Sequence, residues 1–115
     1  MEKRTIQVRI TGYKQEFVKG DQKTFYEIEA DCDGNTWEMS KRFNEFSEFH
    51  KELLKTFGNL PSFPRKTLFK IKKSADIEKR KGQLETYIQT LVSRDEMYGN
   101  PIFINFFEVS QKIPN

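Results

Sequence analysis

The sequence predicts an α+β fold: a three-stranded antiparallel sheet packed against a helical subdomain, with a proline-rich turn between the first two long helices. Three observations predict it. Up to residue 43 the apolar residues alternate with period two, the signature of half-buried strands. From Asn44 onward they recur at helical spacing. Between the first two helical stretches stands Leu60-Pro61-Ser62-Phe63-Pro64, which cannot be helical throughout because each proline biases the residue before it to extended geometry. Strands followed only by helices imply helices gathered on one side of a small sheet.

The elements follow in order. Residues 4–13 place Ile6, Val8 and Ile10 on one face, and residues 24–31 place Tyr26, Ile28 and Ala30 likewise. Asp33-Gly34-Asn35 is turn chemistry, and residues 36–43 follow with Trp37 and Met39 on one side, so the second and third runs read as a hairpin. The first run can pair with the second across Lys19-Gly20-Asp21. Phe46, Phe49, Leu53, Leu54 and Phe57 give a helix over residues 44–57, with Gly58 expected to end it as a left-handed residue. A second helix, capped by Ser74 or Asp76, carries Ile77, Leu84, Tyr87, Ile88, Leu91 and Val92. Gly82 inside it costs about 1 kcal/mol relative to Ala, and close packing is the expected reason for it. A short helical piece near residues 95–98 is broken by Gly99-Asn100. Pro101 then opens a last helix with the stripe Ile102, Phe103, Phe106, Phe107 and Val109.

Composition narrows the function. The 115 residues fit a single domain, 1–115, able to bury a core without staples. Eleven Phe among 36% hydrophobic residues supply that core despite 32% charged residues. No apolar run is long enough to span a bilayer, and the opening Met1-Glu2-Lys3-Arg4 does not read as a signal peptide. The single Cys32 cannot form an internal disulfide, which fits a reducing compartment. Net charge is +3, but residues 65–81 hold eight basic and two acidic side chains, +6 in all, leaving −3 for the rest. A basic segment on an acidic body suggests a directed anionic partner; its plainer alternative is a solvated charged loop.

Arg42 stands at the strand-to-helix junction. Its guanidinium is a rigid fork of donors for phosphate oxygens, and the helix start behind it is an ordinary anion site. Phe43 offers a face to the C–H face of a sugar-like ring, or is plain core. Arg80, near the start of the second helix, can face the same region; Leu84 and Tyr87, as core, are expected to put it on a different face from theirs. Arg42 could instead pair with Glu45 or Glu48, Lys66 could exchange roles with Arg65, and Lys79 or Lys81 could stand in for Arg80.

Three stretches carry a family resemblance. Ser40-Lys41-Arg42-Phe43-Asn44-Glu45-Phe46, Leu60-Pro61-Ser62-Phe63-Pro64-Arg65-Lys66 and Glu78-Lys79-Arg80-Lys81-Gly82-Gln83-Leu84 resemble, in order, the signature segments of PX (phox-homology) domains. The resemblance implies a basic pocket for a phosphoinositide, most commonly phosphatidylinositol 3-phosphate. It implies that Arg42 grips the 3-phosphate, Phe43 stacks on the inositol ring, Lys66 reaches the 1-phosphate and Arg80 binds the 4- and 5-hydroxyls. It further implies a membrane-attachment loop, here Leu68, Phe69, Lys70, Ile71, Lys72 and Lys73, whose lysines meet anionic lipid at about 1 kcal/mol each. In that loop Phe69 and Ile71 could alternatively pin the chain to the core. The expected setting is cytoplasmic, peripheral on the cytosolic face of endosomal-type membranes, with the isolated domain a monomer.

Other classes find less support. Cys32 has no CxxC partner, so neither zinc nor another cofactor is expected. His50 stands alone on a helix, expected at its surface or half-buried, and no Gly-rich phosphate loop or GxSxG occurs, so no enzyme is read. Pro61-Ser62-Phe63-Pro64 matches PxxP, which SH3 domains read, but shaping a turn is the simpler role. Nucleic acid is not expected, because the acidic remainder would repel a long polyanion. The competing reading is a protein-interaction module of the same fold with little lipid affinity.

Overall fold

The computed structural model describes residues 6–65, 71 and 73–112. Three strands, β1 (Gln7–Val18), β2 (Asp21–Cys32) and β3 (Asn35–Lys41), form one antiparallel sheet in the order β1-β2-β3. Then come α1 (Phe43–Leu54), α2 (Ser74–Val92), a 3-10 helix at Asp95–Gly99, α3 (Pro101–Phe106) and α4 (Val109–Lys112). The α+β order expected from the change of period is the order observed.

Both hairpins turn on two residues. Lys19 and Gly20 take φ of 53° and 77°, and Asp33 and Gly34 take 52° and 87°. Two successive left-handed residues match the twist of the flanking strands, and Gly meets that demand at the second position. The strands differ in reach. β3 ends with Lys41 opposite Tyr26, whereas β1 and β2 continue through five more pairs, from Lys14↔Phe25 to Val18↔Asp21. At ~3.3 Å per residue this arm extends about 15 Å past the point where the chain leaves the sheet for α1.

The alternating faces behave as expected. Ile6, Val8 and Ile10, then Tyr26, Ile28 and Ala30, then Trp37 and Met39 are all buried against Phe46, Phe49 and Leu53 of α1, the buried stripe of α2, and Phe103 and Phe107. The outer edge of β1 is sealed by polar groups rather than by a fourth strand. The Ile6 N–H donates to the Tyr98 hydroxyl at 3.0 Å, the Gln89 amide donates to the Val8 carbonyl, and the Ile10 N–H donates to the Glu85 carboxylate at 3.3 Å. Glu85 and Gln89 lie one helical turn apart, so one face of α2 satisfies alternate groups of the strand.

Several boundaries differ from the sequence reading, each for a physical reason. α1 stops at Leu54 with Lys55 as its C-cap, and Gly58 lies beyond it without a left-handed φ. α2 is capped by the backbone of Lys73, not by Ser74 or Asp76. Gly82 is exposed, and a Cβ placed there would meet nothing within 4 Å, so close packing does not explain it. The last apolar stripe is not one helix: Glu108 takes φ of 58° and separates α3 from α4. At that break the buried Trp37 indole N–H donates to the Phe107 carbonyl at 2.9 Å, tying β3 to the C-terminal end of α3. Pro101 does open α3, and the Asn100 side chain caps it, accepting from Ile102 and Phe103 N–H at 2.9 and 3.3 Å.

Candidate functional site

The strand-to-helix junction puts Arg42 at the N-cap of α1, in extended geometry, directly after β3. Its backbone N–H donates to the Glu45 carboxylate at 2.9 Å. That N–H is thereby committed, so an anion at this helix start would be gripped by side chains more than by the Arg42 backbone. The Arg42 guanidinium is half-exposed and, among the described residues, forms no ion pair with Glu45 or Glu48.

Phe43 follows and is half-buried. Arg80 lays its guanidinium over the Phe43 ring, 3.8 Å from the centroid. Phe63 stacks on Phe43 as well, 5.5 Å away at 28°. The surface expected to receive an inositol ring therefore already carries a guanidinium, and a ring entering there meets Arg80 as well as Phe43. Arg80 lies on the buried stripe of α2, three residues after Ile77 and four before Leu84, not on another face as the sequence reading had it. Burial lowers its pKa, an effect opposed by Tyr26 nearby, though an arginine still stays charged. Its one hydrogen bond among the described residues is a donation to the Arg65 carbonyl at 3.4 Å, and no carboxylate there pairs with it. A half-buried cation without a carboxylate leaves an electrostatic deficit that an anionic ligand can fill.

The proline-rich turn builds the back of the site. Pro64 is buried and Phe63 is turned inward, so the PxxP segment shapes a turn and does not present a ligand to an SH3 domain. Phe63 stacks on Phe43 on one hand and on His50 on the other, the latter at 4.8 Å and 10°. His50 Nδ1 lies 2.7 Å from the Tyr87 hydroxyl. Burial lowers the His50 pKa and raises that of Tyr87, so both remain neutral at pH 7. A row of planar groups thus runs Arg80, Phe43, Phe63, His50, Tyr87. Sequence reasoning missed Phe63 and His50 as parts of this row, because contacts between the turn and two helices leave no periodic trace.

Of the other expected residues, Lys66, Leu68, Phe69, Lys70 and Lys72 lie outside the described residues. Ile71 is half-buried against the core, which favours a pin over a bilayer contact, and Lys73 is the exposed N-cap of α2. The hairpin arm adds a feature the sequence reading did not single out. Phe17 and Val18, at its end, are 76% and 40% exposed. Past residue 13 the run Lys14-Gln15-Glu16-Phe17-Val18 carries no period-two apolar pattern, so the longer strands left no such signal in the sequence. Among the described residues no group of His, Cys, Asp and Glu could hold a metal, and no helix is long and apolar enough to cross a membrane.

The PX domain family matches residues 32–110. This chain belongs to the PX domain family. The PX domain shown by an X-ray structure of a designed CISK-PX domain superposes with a TM-score of 0.79 at 27% identity, covering 87% of this chain and 96% of that one. The mouse SNX19 PX domain with bound sulphate ion shares the fold, with a TM-score of 0.67 at 22% identity over 90% of this chain and 97% of that one. Among curated proteins, the structural protein MDM1 of Saccharomyces cerevisiae is 35% identical over 81 residues, 63% of this chain and 7% of that protein. Human sorting nexin-17 is 34% identical over 80 residues, 64% of this chain and 17% of that protein, and mouse sorting nexin-13 is 32% identical over 68 residues, 56% and 7%. The PX chain thus spans less than a fifth of the length of these relatives.

Proposed function

We propose that this PX chain is a single-domain, non-catalytic module that binds phosphoinositides and recruits whatever carries it to a membrane. Its preferred ligand is phosphatidylinositol 3-phosphate. The observation that carries the reading is Arg80: half-buried, without a carboxylate among the described residues, and held on the ring next to Arg42. A guanidinium on an aromatic ring, with a second arginine one residue before that ring in the chain, suits a phosphorylated ring, whose oxygens take bidentate donors while its C–H face takes apolar contact. In this reading Arg42 holds the 3-phosphate, Arg80 the 4- and 5-hydroxyls and Lys66 the 1-phosphate, with Phe43 contacting the ring beside Arg80. The relatives named sorting nexins agree with a role in membrane traffic; in this reading the chain acts on the cytosolic face of endosomal-type membranes.

Membrane contact in this reading comes from two places. Leu68 and Phe69, with Lys70, Lys72 and Lys73, supply one, and the arm tip at Phe17 and Val18 supplies the other. The arm leaves the same end of the sheet from which Arg42 emerges, so a surface reached by the head-group pocket lies within reach of the tip. The experiment is vesicle binding across a panel of phosphoinositides, for the wild type and Arg42→Ala. Selective binding of a 3-phosphorylated lipid that folded Arg42→Ala loses supports the pocket. Binding that follows total negative charge, unchanged by Arg42→Ala, leaves the chain a protein-interaction module of the PX fold.

A further inference from the structure

α1 and α3 enclose an open groove of ≈ 510 Å³ whose lining includes neither Arg42 nor Arg80, within the size range of ligand pockets. Its apolar lining is Phe49, Ile102 and Phe106, with Phe49 and Phe106 stacked at 4.1 Å and 13°. Along one wall stand Glu45, Glu48 and Glu52, which the helical repeat brings to one side of α1; Asn105 lies on the other. Among the described residues, two of these carboxylates pair with exposed lysines at i,i+3, Glu48 with Lys51 at 3.5 Å and Glu52 with Lys55 at 3.0 Å. Such pairs contribute little and exchange readily for a better placed cation. Glu45 is held at the helix cap by the Arg42 N–H. Lys41 lies over the Phe106 ring, 4.9 Å from its centroid, at the edge of the same lining.

We infer that this groove docks a cationic amphipathic segment of a partner protein, an apolar anchor seated on Phe49, Ile102 and Phe106 with Lys or Arg about one helical turn to either side. Charge complementarity selects the occupant. A row of carboxylates repels an anionic lipid surface, and it repels the basic 65–81 stretch's own ligands for the same reason. An uncharged apolar segment would leave the carboxylates facing a desolvated partner without counter-charge, whereas a basic one supplies it. The groove's lining shares no residue with the proposed lipid pocket, which it meets at the Glu45–Arg42 bond, and neither reading depends on the other.

Three peptides of about twelve residues, a length that a helix-in-groove site reads, test it by shifts in backbone amide resonances of the whole chain. One carries Leu at i and i+4 with Lys at i+3 and i+7; the second replaces Lys with Glu; the third keeps Lys and replaces Leu with Ser. The expected result is binding of the first alone, with shifts centred on Glu48, Glu52, Ile102 and Asn105. Glu48→Gln combined with Glu52→Gln, both on the helix surface, should then weaken it about tenfold while the thermal transition stays in place. Equal binding of the Glu or Ser peptide, shifts centred elsewhere, an unaffected affinity in the double variant, or no shifts at all would overturn the inference.

Discussion

Arg80 shows what a single side chain contributes here. Its guanidinium is planar and rests on Phe43, so a cation of another shape cannot replace it. Arg80→Lys keeps the charge but loses the stack and the fork of donors, and vesicle affinity for the preferred phosphoinositide should fall about tenfold or more. Titration of the variant against the same vesicles checks this; full retention would mean that charge alone suffices. Behind it, His50 makes the fold sensitive to pH. Burial holds the folded pKa below the ordinary 6.5, so the unfolded chain takes up a proton that the folded chain resists. The stability tied to the neutral imidazole is therefore complete above pH 6.5 and lost progressively as pH falls from there through the lower folded pKa. Urea unfolding between pH 7.5 and 5.5 should show this slope in the wild type and a flatter one in His50→Gln. How much of the site was legible follows from the same residues. Arg42, Phe43 and Arg80 could be named as candidates because each sits in a short local pattern, and the structure brings Arg80 onto Phe43. The face of Arg80 was misjudged although its spacing to Leu84 already placed it on the buried stripe. The Phe63–His50 pair was hidden, since the turn that joins them has no period.

At the level of elements, α2 holds a residue that neither local propensity nor tertiary packing calls for. Gly82 is exposed in the middle of a 19-residue helix, with open space where a Cβ would go. Gly82→Ala should raise stability by about 1 kcal/mol, because the helix loses its most flexible residue and meets no clash. Chemical denaturation measures it, and an unchanged or lower midpoint would point to a neighbour that needs the space. The same helix shows why strands and helices were readable while their junctions were not. The stripe Ile77, Leu84, Tyr87, Ile88 and Leu91 is a matter of spacing. The seal on β1 is not: Glu85, Gln89 and Tyr98 read as ordinary polar surface until the strand is placed beside them. Strand ends were misjudged for a related reason. The arm beyond Tyr13 has no core to face, so its residues lack the alternation that marks the buried part of the hairpin.

Across the whole molecule, the proposed membrane encounter would divide between two forces, the +6 of residues 65–81 and the exposed arm tip. Charge acts at a distance and is screened by salt, whereas the apolar tip acts only once it enters the interface and is indifferent to salt. In that proposal the head-group pocket adds selectivity. Phe17→Ala should therefore weaken binding to phosphoinositide vesicles by up to about tenfold, the value of removing a large part of one aromatic from the bilayer. It should do so equally at low and high salt, while leaving the affinity for a soluble inositol 1,3-bisphosphate head group unchanged. Arg42→Ala should do the opposite, abolishing soluble head-group binding and leaving a weak, salt-sensitive attraction to any anionic vesicle. Calorimetry with the soluble head group and sedimentation with vesicles at two salt concentrations separate the two. If Phe17→Ala weakens the soluble head group as much as it weakens the vesicle, the arm belongs to the pocket. If it weakens neither, the arm stands clear of the membrane, and the basic stretch and the pocket must hold the domain there alone.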